Sequence, residues 1–186
     1  MTRLVTFGCS YPYGHGLPDC FDGNGGYGIE PSKFSFPELI SCRYNFKNIN
    51  LSRPGISNKG LIHKLQKFAF RKNDICLLAW THVDRNSVIT EDDDIKFIGP
   101  WQSDKLSTRY YKYFFDHHDN LWNLSLYINY ANLYLKNKGV TVINIPGYDA
   151  DIDINWQSLV GSNIIMADYN IYSNVVDIAL DGAHPG

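Results

Sequence analysis

A chain of 186 residues, of which 44% are hydrophobic and 15% aromatic, is long and apolar enough to bury a substantial core, which excludes a disordered protein. Its formal net charge of −2 excludes the strongly basic surface typical of nucleic-acid and anionic-membrane binding, so neither partner is expected. No apolar run reaches the length of a membrane span, and the first three residues lead directly into a strand-like segment rather than a signal peptide.

The four cysteines have no C-x-x-C spacing, which argues against a zinc site or a disulfide framework and favours reduced thiols. Reduced thiols are typical of a cytoplasmic protein, or of one that is made in a cytoplasm and then becomes part of a virion. The length predicts a single domain over residues 1–186. Its oligomeric state does not follow from the sequence.

The chain opens on a short apolar strand that leads into a serine. Residues 4–7 are apolar apart from one threonine, Gly8 breaks the strand, and Ser10 follows. A serine just past the carboxyl end of a first strand lies where open α/β sheets bind their ligands. Residues 11–31 are rich in Gly, Pro, Asp and Asn and predict a long loop, in which we interpret His15 as a solvated side chain.

Helices and strands then alternate along the chain. The apolar spacing and the turn residues predict a helix over 32–44, a strand over 46–51, a helix over about 59–70 and a strand over 75–80. Ser57 or Asn58 is suited to cap the second of these helices. The unbroken apolar run at 75–80 is typical of a central strand in a parallel sheet.

Residues 86–107 are polar and predict an irregular segment, which forms most of an insertion around 84–108. The next pattern predicts one long helix over 108–138, or two helices in series, before a fourth strand over 140–145. Residues 163–166 and 171–180 give no clear pattern. The alternation of strands and helices predicts an α/β protein, a three-layer α/β/α fold on a mostly parallel, flavodoxin-like sheet.

The last residues contain an aspartate and a histidine that one local turn could present together. Asp181 and His184 are three residues apart. With Ser10 they supply the three chemical types of a hydrolytic triad, namely a nucleophile, its base and the group that orients the base.

Two short blocks at opposite ends of the chain resemble those of the SGNH (GDSL-type) serine hydrolase superfamily. They are Gly8-Cys9-Ser10, which matches the block with the nucleophilic serine, and Asp181-x-x-His184, which matches the final D-x-x-H block. The resemblance implies the SGNH hydrolase fold and ester hydrolysis without a metal or another cofactor. Ser10 would be the nucleophile, His184 the base and Asp181 the group that orients it.

The resemblance also suggests an oxyanion hole. Gly55 matches the glycine of the family's second block, whose N–H would act together with that of Ser10. The asparagine of the third block, G-x-N-D, is absent, because the strand at 75–80 is followed by Thr81; phage-encoded members have a similar Trp-Thr strand end. Thr81, His82 or Asn58 would take the place of its side-chain amide, and of these Asn58 or Thr81 would be the third donor. From the residues alone, Gly55 is as readily a turn glycine and Asn58 as readily a helix cap.

Aromatic residues after the third strand suggest a substrate class. Trp80 and Trp101 either belong to the core or line a cleft at the carboxyl end of that strand. In a cleft they would suit a sugar ring, and Arg85 would bind a polar or acidic substituent. We therefore expect a short-chain ester substrate, an acetyl ester on a carbohydrate or another small molecule.

Two alternatives from other functional classes stay open at this stage. One is a catalytically degenerate SGNH-like module that binds a glycan or a protein, which the altered third block would explain. The other is an unrelated flavodoxin-like domain in which Ser10 caps a phosphate-binding loop.

Overall fold

Four parallel strands form the central sheet of the structure, a computed structural model that describes residues 1–24, 26–147, 178–182 and 184. Numbered along the chain, the strands are β1 (Arg3–Phe7), β2 (Lys47–Asn50), β3 (Ile75–Ala79), β4 (Asn86–Ile89), β5 (Ile95–Ile98) and β6 (Thr141–Ile145). The sheet has the order β2-β1-β3-β6 and every neighbouring pair in it is parallel. The remaining strands, β4 and β5, form a separate antiparallel pair.

The helices lie between these strands along the chain. They are α1 (Ser10–Tyr13), α2 (Phe36–Tyr44), α3 (Asn58–Lys67), α4 (Lys105–Tyr113) and α5 (His117–Asn137). Ser57 caps α3, since its side chain accepts a hydrogen bond from the Gly60 N–H. Among the helices of the described residues, none has the length and apolar character needed to cross a membrane.

Alternate residues of the central strands bury the two faces of the sheet against different helices. Val5 and Leu78 belong to a core shared with α3 and α5, whereas Leu4 and Leu77 pack against α2 on the opposite face. A strand covered on both faces needs apolar side chains on both, which explains the unbroken apolar runs of β1 and β3. The predicted α/β/α fold with a mostly parallel sheet is therefore confirmed.

The prediction of an irregular segment over 86–107 is wrong in its first half, because β4 and β5 form a hairpin there. Its residue Ser87 is buried and makes a hydrogen bond inside the protein, although most of its charged residues are exposed. Ser87 Oγ lies 2.7 Å from Ser57 Oγ at the start of α3. Ile95 packs against Cys9, the residue before Ser10, and against Ile56. The hairpin therefore lies next to the start of α1.

The stretch predicted over 108–138 forms two helices, the second of the two alternatives. α4 ends at Tyr113, and Asp116 caps α5 by accepting a hydrogen bond from the Asp119 N–H at 2.9 Å. The fourth strand of the central sheet is β6, as expected over 140–145. Residues 163–166 and most of 171–180 lie outside the part of the chain that the structure describes.

A buried ion pair joins the amino ends of β1 and β3. Arg3 Nε donates to Asp74 Oδ1 at 2.8 Å, and Asp74 also accepts a hydrogen bond from the Arg71 N–H at 2.7 Å. Both ionised side chains are buried, with Arg3 9% and Asp74 3% exposed. Burial alone raises the pKa of Asp74, but the hydrogen bonds from Arg3 and Arg71 outweigh it and lower the pKa. The carboxylate therefore stabilises the fold in its ionised form.

We expect Asp74→Asn to lower the free energy of unfolding at neutral pH by about 3 kcal/mol, because the Arg3 charge then stays buried without its partner. A carboxylate with a depressed pKa stabilises the folded state at neutral pH, and this contribution is lost as the pH falls through the folded-state pKa. The variant should therefore lose less stability than the wild type on acidification. Urea unfolding over a pH series measures both effects.

The matched control is Asp92→Asn, which changes an exposed acid in the turn between β4 and β5. It should leave the free energy of unfolding within about 0.5 kcal/mol of the wild-type value. Equal effects of the two substitutions would contradict the role given to the ion pair.

Candidate active site

Ser10 lies at a tight turn between β1 and α1. A side chain at Gly8 would place its Cβ 2.5 Å from Pro12 Cγ and 2.9 Å from Ala79 Cβ, so only glycine lets β1 turn beside the end of β3. Gly14, in the left-handed conformation with φ 79°, then ends α1. The N–H groups of Gly14 and His15 both donate to the Ser10 carbonyl at 3.0 Å, which folds the chain back and holds His15 close to Ser10.

Asp181 binds His184 through both of its carboxylate oxygens. Oδ2 lies 2.5 Å from His184 Nδ1, and Oδ1 accepts a hydrogen bond from the His184 backbone N–H at 3.0 Å. A carboxylate at Nδ1 favours the tautomer in which Nδ1 carries the proton. The other ring nitrogen, Nε2, is then free to accept a proton, as a general base must.

The loop after α1 supports this pair. The Gly16 carbonyl accepts a hydrogen bond from the Leu180 N–H at 3.0 Å, and a Cβ on Gly16 (φ 89°) would lie only 2.7 Å from the Asp181 carboxylate. His15 stacks on His184 with ring centroids 4.4 Å apart, and its Nε2 is 3.8 Å from Asp181 Oδ2. Its side chain is only 13% exposed, so the interpretation of His15 as a solvated loop residue is wrong.

A cavity of about 480 Å³ opens at the carboxyl edge of the sheet. Residues that follow three neighbouring strands line it, since Ser10 comes after β1, Gly55 after β2 and Arg85 after β3. His15, Trp101 and His184 complete much of its wall. The carboxyl edge is where open α/β sheets place their ligands, so this cavity is the candidate active site.

Ser10 and His184 line the same cavity, but no hydrogen bond joins them in the described part of the chain. Ser10 is 4% exposed, and its hydroxyl lies 4.0 Å from the Cys9 Sγ, which accepts its hydrogen bond. Contacts between a nucleophile and its base are often loose without substrate. A cooperating triad of Ser10, His184 and Asp181 therefore stays a prediction.

Besides Asp181, which lies behind His184, three of the residues predicted for the site do not line this cavity. Trp80 is fully buried and its indole N–H donates to Asn144 Oδ1 at 2.9 Å, so its assignment to substrate binding is corrected to the core. Asn58 accepts from the Thr81 N–H and donates to the Thr81 carbonyl, each at 2.9 Å. The Thr81 hydroxyl is buried and has no hydrogen-bond partner among the described residues. Asn58 thus joins the start of α3 to the end of β3.

The predicted Gly55, Arg85 and Trp101 do line the cavity. Gly55 has φ 78°, and a Cβ there would lie 3.8 Å from both Phe97 and Trp101. The Gly55 N–H donates no hydrogen bond to any of the described residues. The Arg85 guanidinium lies 4.9 Å from the centroid of the Trp101 ring.

The sequence did not reveal Phe97, Gln102 and Tyr27, which also line the cavity. Phe97 belongs to the hairpin, which the polar composition of the segment did not indicate. The apolar neighbours Ile95 and Ile98 were the signal that could have predicted a strand there. Gln102 and Tyr27 lie in loops, where no periodic pattern marks them. For His15 the one available signal was its place five residues after the candidate nucleophile.

His15, Asp181 and His184 are also the group that could hold a metal ion within the described residues, since their ligand atoms lie within 4.8 Å of one another. Two imidazoles and a carboxylate are ligands that suit zinc. The 2.5 Å contact between Asp181 Oδ2 and His184 Nδ1, however, engages two of these atoms with each other. We therefore assign Asp181 and His184 to an Asp–His pair.

Two esterases of known structure share the fold. One is an acetyl xylan esterase (Est2A) from the rumen bacterium Butyrivibrio proteoclasticus, with a TM-score of 0.55, 9% identity, and coverage of 89% of this chain and 54% of the esterase. The other is a carbohydrate esterase whose active site displays divergent catalytic and non-catalytic binding functions. It has a TM-score of 0.53 and 11% identity, and the match covers 100% of this chain and 63% of the carbohydrate esterase.

This chain therefore spans between half and two thirds of the length of either esterase. Comparison with known protein families and with curated protein sequences gives no match. At 9% and 11% identity, the likeness establishes the α/β fold alone.

The contact between Gly16 and Asp181 can be tested with two glycines of the same loop. Gly16→Ala should displace the Asp181 carboxylate, because its Cβ would lie 2.7 Å away. Gly23→Ala is the matched control, since Gly23 has a similar φ of 84° but nothing within 4 Å of its Cβ position. A downfield proton resonance from the hydrogen bond between His184 and Asp181 should be present in the wild type and Gly23→Ala, and weak or lost in Gly16→Ala. A resonance that persists unchanged in Gly16→Ala would contradict this account.

Proposed function

We propose that this protein is a serine esterase that removes a short acyl group, an acetyl group, from a carbohydrate. The observation that carries the proposal is the hydrogen-bonded pair of Asp181 and His184 beside the cavity that Ser10 also lines. These residues come from opposite ends of the chain. An oriented imidazole next to a serine is the arrangement that acyl transfer requires.

In the proposed reaction His184 Nε2 takes the proton of the Ser10 hydroxyl while Oγ attacks the ester carbonyl carbon. The tetrahedral intermediate collapses as the same proton passes to the leaving sugar oxygen, which leaves an acyl group on Ser10. His184 then takes a proton from a water molecule that attacks this acyl group, and it returns the proton to Ser10 Oγ as the second tetrahedral intermediate collapses and the carboxylic acid is released. Asp181 keeps the imidazole in the productive tautomer and stabilises its charged form.

The developing negative charge on the carbonyl oxygen would be stabilised by backbone N–H groups. Ser10 is the first residue of α1, where N–H groups have no acceptor within the helix. The Gly55 N–H, which no described group engages, lies on the same cavity. We assign the oxyanion hole to these two donors. Asn58 would contribute by holding Thr81 rather than by binding the oxyanion itself.

The walls of the cavity support a carbohydrate rather than a lipid substrate. Tyr27, Phe97 and Trp101 present aromatic surface, and Gln102 and Arg85 add hydrogen-bond donors. Aromatic surface with a few polar groups suits the alternating apolar and hydroxylated faces of a sugar. Two structures that share this fold are named as an acetyl xylan esterase and a carbohydrate esterase, which agrees with this choice.

The proposal predicts that Ser10→Ala and His184→Ala each lower the rate of acetyl ester hydrolysis by about 10³-fold or more, because each removes a member of the same unit. The double variant should lose little more than either single variant. His118→Ala, an exposed histidine on α5, is the control and should keep the wild-type rate. Hydrolysis that survives in Ser10→Ala would overturn the role of the serine.

The choice of acyl group is tested separately with aryl esters of increasing chain length. We expect kcat/KM to be highest for the acetyl ester and to decline toward the octanoyl ester. A steady rise with chain length would leave an esterase but reject the carbohydrate acetyl substrate.

A further inference from the structure

Arg85 carries the one permanent charge among the described residues that line the cavity. Its guanidinium makes no ion pair and no hydrogen bond within the described part of the chain, and its Nε is buried. The buried guanidinium of Arg3 is in contrast paired with the carboxylate of Asp74. A partly buried cation without a counter-charge is unfavourable, so Arg85 is suited to bind an anionic group.

The surroundings hold Arg85 in this position. Its guanidinium lies over the Trp101 ring, and that ring in turn lies against Gly99, where a Cβ would come within 2.5 Å of the indole. The backbone beside Arg85 is also fixed, since the Tyr111 hydroxyl donates to the Asp84 carbonyl at 2.5 Å. A guanidinium that packs on an aromatic ring keeps its N–H donors in its own plane, where they can form a two-point contact with a carboxylate.

Arg85 shares the cavity with Ser10 and His184, so a group that it binds would belong to the same molecule as the ester. The cavity, at about 480 Å³, has room for a sugar unit together with its acyl group. No Asp or Glu side chain lines the cavity in the described part of the chain to repel an anion.

We propose that the esterase selects acetyl esters of acidic sugars, with the sugar carboxylate bound by Arg85. This inference rests on the proposed function and adds the charge of the substrate to it. A carboxylate would supply the counter-charge that Arg85 lacks, and it would fix the sugar with its ester directed toward Ser10.

The test compares two substrates that differ only in this carboxylate. They are a mono-O-acetylated methyl glucuronoside and the methyl glucoside acetylated at the same hydroxyl. In the wild type, kcat/KM should be at least about tenfold higher for the acidic ester, the size of one charge-assisted contact. The preference should shrink as salt is added, since the interaction is electrostatic.

In Arg85→Gln the ratio of the two kcat/KM values should fall to near one. Arg85→Lys should retain part of the preference, because lysine keeps the positive charge but lacks the planar guanidinium that binds a carboxylate at two points. Arg43→Gln is the matched control. Arg43 is an exposed arginine of α2 that also lies over an aromatic ring, 6.0 Å from the centroid of Tyr44, but it is remote from the cavity. This control should keep the wild-type ratio.

A wild-type ratio of one or below would overturn the inference and leave the esterase proposal intact. A ratio that Arg85→Gln does not change would also overturn it. If neither ester is hydrolysed, the proposed function fails instead. The role of Arg85 is then tested by measuring, with NMR, the binding of free glucuronate and of glucose to the wild-type protein. Tighter binding of glucuronate supports the role of Arg85, and equal binding rejects it. The same measurement serves if the Arg85 variants do not fold.

Discussion

The contact between Asp181 and His184 is the interaction on which the site depends. One carboxylate binds both the imidazole Nδ1 and the backbone N–H of the same histidine, so the ring and the turn that carries it are fixed together. Gly16 allows this carboxylate to approach the loop after α1, and His15 covers one face of the imidazole. A histidine without these contacts would sample many rotamers, and its Nε2 would have no defined relation to Ser10.

The parallel sheet determines where this pair meets the serine. Because its strands run in the same direction, the segments that leave β1, β2 and β3 emerge at one edge and contribute Ser10, Gly55 and Arg85 to one cavity. The hairpin of β4 and β5 lies beside this edge and contributes Phe97 to the wall of the cavity. The ion pair of Arg3 and Asp74 lies at the opposite end of the same strands, so the fold separates the residues that stabilise the sheet from those of the site.

Much of the fold follows from local patterns. The runs at 4–7 and 75–80 are apolar on both faces, and only a covered parallel strand needs that composition. The composition did not indicate the hairpin because Ser87, a residue type common at exposed positions, is buried against Ser57. Successive residues of a strand face opposite sides of the sheet, and Trp80, which directly follows β3, faces the core. The cavity is therefore lined by residues of the loop that follows, such as Arg85.

The site itself was predictable only in part. The chemical types of Ser10, Asp181 and His184 and their order along the chain suggested a triad, and the structure brings Asp181 into contact with His184. The place of His15 could not be predicted, because it depends on a tertiary contact with the far end of the chain. The same is true of Asn58, whose amide is engaged by the backbone of Thr81 at the end of another element.

We propose that Ser10 is an activated nucleophile. Treatment of the wild-type protein with a fluorophosphonate, followed by peptide mapping by mass spectrometry, tests it most directly, because the reagent forms a covalent bond with a serine only when a neighbouring base activates it. We expect one adduct for each chain, located on Ser10. A protein that stays unmodified while folded, or an adduct on a different residue, would contradict it.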